Sequence, residues 1–96
     1  MGIKVNNVNG TSDKNCTCGS WLDHWKKYSR QIRNYCSEVQ CTNKSEVGAH
    51  VQKDSSTDSN WYIVPLCTSH NRETGRSLTL VDSVILVSAN VSRTCG

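Results

Sequence analysis

Phenylalanine is absent from this 96-residue chain, proline and methionine occur once each, and only 35% of the residues are apolar. A polypeptide this short and this polar lies near the lower limit of what a hydrophobic core alone stabilises, so a covalent or metal staple is expected. No run approaches the ~18 consecutive apolar residues of a membrane-spanning helix. The carboxy-terminal SVILVSANV is short enough to read as a buried strand. The amino-terminal MGIKVNNVNGTSDKN lacks the apolar core that a secretory signal requires, and a cytoplasmic location with no membrane contact is expected. A strong charge bias is also missing. Eleven Lys and Arg against eight Asp and Glu leave a net charge of +3, well short of a tail built to coat nucleic acid. No internal repeat is present.

Cysteine, by contrast, is plentiful, with six residues at positions 16, 18, 36, 41, 67 and 95. In a reducing compartment clustered thiols point to zinc, whereas in a secreted domain they form disulfides. The sequons at Asn9, Asn15, Asn43 and Asn90 would matter only in the second case, and Asn/Ser/Thr-rich sequence produces them cheaply.

Along the chain, residues 1–14 are polar and rich in Asn, Gly and Ser, and are expected to form a flexible lead-in to a single domain spanning 15–96. Ser20 with Asp23 fits an N-cap and an acidic third helical position. Trp21, Trp25, Tyr28 and Ile32 then recur at helical spacing with Leu22 beside them, predicting an amphipathic helix over 20–34. Strands are predicted near 47–52 and 60–66, joined as a hairpin by the polar loop KDSSTDSN, with Pro65 at the end of the second strand. A short helix fits between 67 and Gly75, and Leu78/Leu80 and Val84 to Val87 predict two further short strands. The class is therefore α+β.

Zinc sites commonly assemble from two close ligand pairs that the fold brings together. Cys36-x4-Cys41 is one such pair and Cys67-x2-His70 is the other, placed where a strand gives way to a helix. The alternative is that the cysteines are small buried residues and His70 lies on the surface. Cys16, Cys18, His24 and Cys95 form a candidate second set, which would pin the chain ends together. A disulfide from Cys95 to Cys16 or Cys18, or unpaired thiols, is the competing reading of those residues.

A cysteine pair, a hairpin carrying GAHV, and PLCTSH opening a helix together resemble the treble-clef, ββα-metal core of HNH endonucleases over residues 36 to 75. The resemblance implies a structural zinc held by Cys36, Cys41, Cys67 and His70, with His50 at the position of the general base that activates water. It also places Asn71 where a ligand of the catalytic metal stands. The chain departs from the pattern at Ala49, where the family has Asp or His, and at Asn71, where His is usual. The middle Asn of the family falls near Tyr62, with Asn60 two residues upstream, and nothing in the sequence places Glu73 to assist. A lone neutral Asn is a poor Mg²⁺ ligand, since that ion favours carboxylates in strict geometry. The expectation is a zinc-binding HNH-like module that has lost its chemistry, with nucleic acid as partner through Lys26, Lys27, Arg30, Arg33, Arg72 and Arg76. A divergent nuclease using His50 and Asn71 is one alternative. A protein-interaction module with Trp21, Trp61 or Tyr62 exposed is another.

Overall fold

The computed structural model describes residues 3–8, 21–54, 60–72 and 77–89. In chain order these form β1 (Ile3–Asn7), α1 (Trp21–Ser29), β2 (Val47–Lys53), β3 (Tyr62–Leu66), α2 (Thr68–Asn71), β4 (Ser77–Leu80) and β5 (Val87–Ser88). All neighbouring strands pair antiparallel, in the order β4-β1-β2-β3-β5. The expected hairpin is present as β2–β3, with Val47 opposite Leu66 and Val51 opposite Tyr62. Among the described residues no helix is long and apolar enough to cross a membrane.

The flexible lead-in expected over residues 1–14 is overturned at its start. Ile3–Asn7 is an inner strand, paired with β4 on one side and β2 on the other. The cause is a short alternation of apolar and polar residues that buries Val5 completely, opposite Leu78 and Lys53. The domain therefore does not begin at residue 15. Its sheet requires the amino-terminal strand.

Because paired residues share a face, the registers assign the two sides of the sheet. Val5, Leu78, Leu80, Ala49, Val51, Val64 and Leu66 line one face and are buried. The segment after α1 closes this face. The Ser37 amide donates to Pro65 O (3.0 Å) beyond the outer edge of β3, while the Val39 amide donates to Thr79 O (3.0 Å) and the Val81 amide to Ser37 O (2.9 Å) at β4. The sheet thus curls until one short stretch of chain joins its far edges.

The other face of the β2–β3 hairpin carries Gly48, His50 and Ile63 and receives α1. A Cβ on Gly48 would lie 2.4 Å from the Trp21 carbonyl carbon and 2.5 Å from the Leu22 amide nitrogen, so only glycine lets the helix backbone rest on the strand. Trp25 is fully buried beneath the helix, and its indole N–H donates to Ile85 O at 2.7 Å. Gln31 fixes the same strap from the side, its amide donating to Ser83 O (3.0 Å) and accepting from the Ile85 amide (3.2 Å).

The helix is shorter than the predicted 20–34. It stops at Ser29 because Arg30 adopts a left-handed conformation (φ 57°), closing the last turn as a glycine commonly would. Ile32 consequently leaves the aromatic stripe and is 87% exposed. Pro65 lies inside β3. Leu66 O faces β2, where it accepts from the Glu46 amide, so the neighbouring Pro65 faces the opposite way and its missing N–H removes no bond to β2.

Candidate metal centre

Four side chains converge at one end of the curled sheet. The Cys36, Cys41 and Cys67 sulfurs and a ring nitrogen of His70 all lie within 4.8 Å of one another. Each pair is delivered by a tight local device. Tyr35 and Lys44 bridge as the open end of a small hairpin, the Cys36 amide donates to Asn43 O (2.9 Å), and the Cys41 amide donates to Glu38 O (3.1 Å). This knuckle turns both thiols to one side. The other pair spans the start of α2, where Cys67 is the N-cap and its sulfur accepts from the His70 amide at 3.4 Å. Glu46 steadies that turn by accepting from the Thr68 hydroxyl at 3.1 Å, and Asn7 donates to His70 O.

The spacing can be compared with what zinc demands. Zn–S near 2.3 Å and Zn–N near 2.0–2.1 Å at tetrahedral angles imply S···S edges of about 3.8 Å and S···N edges of about 3.6 Å. Cys41 Sγ to Cys67 Sγ is 3.8 Å, Cys36 Sγ to His70 Nδ1 is 3.5 Å, and Cys67 Sγ to His70 Nδ1 is 3.2 Å. Three thiols and one imidazole at those separations can hold one metal ion, and the soft donor set suits zinc. All four positions would be taken by protein, the arrangement of a structural site and not of an open catalytic one.

Electrostatics divides the thiols. Burial pushes Cys36 up to about 12, with the Cys41 and Cys67 sulfurs adding to the rise, and the Cys67 and Glu38 amides offset only part of it. Burial would raise Cys67 too, but the His70 amide and ring and the neighbouring Cys36 and Cys41 outweigh it and bring Cys67 down to about 7. One thiol is therefore poised to meet a cation as thiolate, while the other gives up its proton only to the metal. Asn43 Nδ2, 3.9 Å from Cys67 Sγ, supplies a further weak donor to that sulfur.

The remaining candidates lie elsewhere. Cys16, Cys18, Glu73, Arg76 and Cys95 fall outside the described residues. His24, their proposed fellow ligand, is buried in α1 with Nε2 2.8 Å from Ser88 O. His50 projects from the α1 face of β2, edge-on to Trp21 with ring centroids 4.6 Å apart and 6.3 Å from Trp61. Its pKa is lowered by burial and, secondarily, by the nearby His24, so it stands neutral at pH 7. Asn71 closes α2, whose neighbour His70 is tied to Asn7 on the opposite face of the sheet from His50. Ala49 is buried in the core. Of the cations, Lys26, Lys27, Arg30 and Arg72 are exposed and Arg33 is half-buried. Trp61 is 40% exposed, while Trp21 and Tyr62 are half-buried.

Sequence reasoning missed Asn7, Asn43 and Glu46, which position the ligand-bearing turns. Their contacts run between distant segments, and nothing in the local sequence signals them. Comparison with protein-family models, with curated proteins and with solved structures returned no match.

Proposed function

We propose that this protein is a zinc-stabilised module of the HNH-like, treble-clef type that binds nucleic acid without cutting it. The observation that carries the reading is the convergence of the Cys36, Cys41, Cys67 and His70 ligand atoms within 4.8 Å of one another. A hairpin between the ligand pairs and a helix opening at the second pair fit that architecture. Exposed cations on α1 and beside α2 supply the charge that phosphates require. Against cleavage stand the methyl group of Ala49 in the core and the opposed placement of His50 and α2. Among the described residues no second group of three or more His, Cys, Asp or Glu side chains gathers to hold a catalytic cation.

Two measurements test this on protein purified without added zinc. Metal analysis is expected to find at least one equivalent of zinc. Retention on a single- or double-stranded nucleic-acid column should fall steeply with salt. A folded, metal-free protein would refute the first half, and passage through the column at low salt the second. The neutral His50 favours one other reading, a divergent nuclease with that imidazole as base. Plasmid cleavage in Mg²⁺ that disappears in His50→Ala would establish it, and inert protein in Mg²⁺, Mn²⁺ and Ni²⁺ would dismiss it.

A further inference from the structure

A cavity of about 430 Å³ opens between α1 and the metal knuckle. Its walls include Lys26 from the helix, Ile32 and Arg33 from the segment after it, and Tyr35 and Lys44 from the knuckle hairpin, and among the described residues no carboxylate lines it. The size falls within the range of small-ligand sites, about 300–1,000 Å³. Three features set the cavity apart from an ordinary basic surface.

First, Tyr35 and Lys44 are directly opposed across the hairpin, so their side chains rise from one face as an aromatic ring beside a cation. Second, the cavity carries apolar surface that the fold leaves in water: Tyr35 is 57% and Ile32 87% exposed. Third, Arg33 is held in place before any ligand arrives. Its Nη2 donates to Cys36 O at 3.3 Å, and its backbone carbonyl accepts from the Ser45 hydroxyl at 2.7 Å.

We propose that this cavity is a nucleotide seat, in which Lys26, Arg33 and Lys44 take a phosphate and Tyr35 with Ile32 takes the adjoining base. The inference rests on the nucleic-acid reading above and deepens it, by assigning the contact to one cleft instead of the whole cationic surface. A phosphate beside a planar ring is the chemistry that matches cations beside an exposed aromatic. An acidic peptide would satisfy the charges but would gain less from the ring. The seat is also coupled to the metal, because Cys36 and Cys41 lie within the hairpin that presents Tyr35 and Lys44.

The test uses the zinc-loaded full chain and the fluorescence anisotropy of a labelled oligothymidylate, with AMP, inorganic phosphate and polyglutamate as competitors. Tyr35→Leu should weaken binding by about tenfold, from the loss of one stacked base. Lys26→Gln combined with Lys44→Gln should weaken it by about tenfold or more and reduce the salt dependence by about two charges. Lys4→Gln, on β1, should change it by less than about twofold, and unchanged zinc content in each variant verifies the fold. If the oligonucleotide binds but responds to Lys27→Gln or Arg72→Gln and not to the cavity variants, the seat is refuted while the nucleic-acid reading stands. If AMP binds with cavity dependence and the oligonucleotide does not, the seat is upheld for free nucleotides and the polymer reading falls. Competition by phosphate alone as effective as by AMP, or by polyglutamate as effective as by oligonucleotide, overturns the assignment to a nucleotide. Absence of any binding overturns both readings.

Discussion

If Cys36 and Cys67 are both metal ligands, zinc affinity must fall with pH in a way their protonation dictates. The metal-bound form has lost protons that the metal-free form keeps, so acid favours release. Cys36, at about 12, is fully protonated across the useful range, and Cys67, at about 7, is half-ionised at neutrality. Lowering the pH from 8 to 7 should therefore cost about tenfold through Cys36 and about twofold through Cys67, roughly 20-fold together. From pH 7 to 6 the Cys36 factor stays at about ten and the Cys67 factor grows to about five, so the loss steepens to roughly 50-fold. These figures count Cys36 and Cys67 alone. The assay is competition against a chromophoric chelator at fixed ionic strength, with calorimetry in two buffers to count released protons. Cys36→Ser should bind zinc more weakly and, having lost the group that stays protonated, show a shallower slope at pH 8 to 7. A change below about threefold between pH 7 and 6 would mean that these thiols do not ligate the ion, and the site as described would be wrong.

Gly48→Ala forces a methyl group into the backbone of Trp21 and Leu22, so α1 must lift from the hairpin. A loss of about 2 kcal/mol or more is expected by urea unfolding of the zinc-loaded protein, and a change within about 0.5 kcal/mol would show that the helix does not rest there. Arg30→Gly relieves the left-handed strain at the end of α1 and should stabilise by about 0.5–1 kcal/mol, read from the same curves. For His50 the folded pKa is depressed, so the unfolded chain takes up the proton first as pH falls. Its contribution is complete above about 6.5 and declines from there until the folded imidazole itself titrates. NMR titration should place the His50 midpoint below 6.5, and the stability difference between wild type and His50→Phe should narrow over that interval; a midpoint at or above 6.5 would contradict its burial against Trp21.

The metal centre was legible because its signals are local and chemical. Thiols and an imidazole at knuckle spacings flank a hairpin whose strands alternate plainly, and the structure brings those four residues together. Where the sequence reading failed, the deciding interaction is distant or runs against residue preference. β1 is hidden because Asn6, Asn7 and Asn9 make the start of the chain look like a linker, and only its partners at 51–53 and 77–80 make it a strand. The end of α1 is hidden because an arginine takes a backbone conformation usually given to glycine, so the apparent stripe runs on to Ile32. Gly48 carried a readable hint, since a glycine inside a strand often marks a close backbone approach, but the approaching partner could not be named from it. Spacing alone groups His24 with the cysteines near the chain ends, whereas its Nε2 lies against a strand carbonyl.

The position of the candidate metal group suits it to brace so polar a chain. Ser37 to Val39, which join the far edges of β3 and β4, follow directly on Cys36 and precede Cys41. The residues that close the sheet are thus inside the loop that the ion would clamp. On the other side of the site, α2 is only four residues long, far below the length at which a helix holds by its own hydrogen bonds. Its persistence depends on the Cys67 cap, on Glu46 and on whatever fixes His70. A single ion bound by both pairs would therefore hold the edge closure and the short helix together, with the buried face of the sheet supplying the rest. An ion bound there would also brace the Tyr35–Lys44 hairpin, because Cys36 and Cys41 lie inside it.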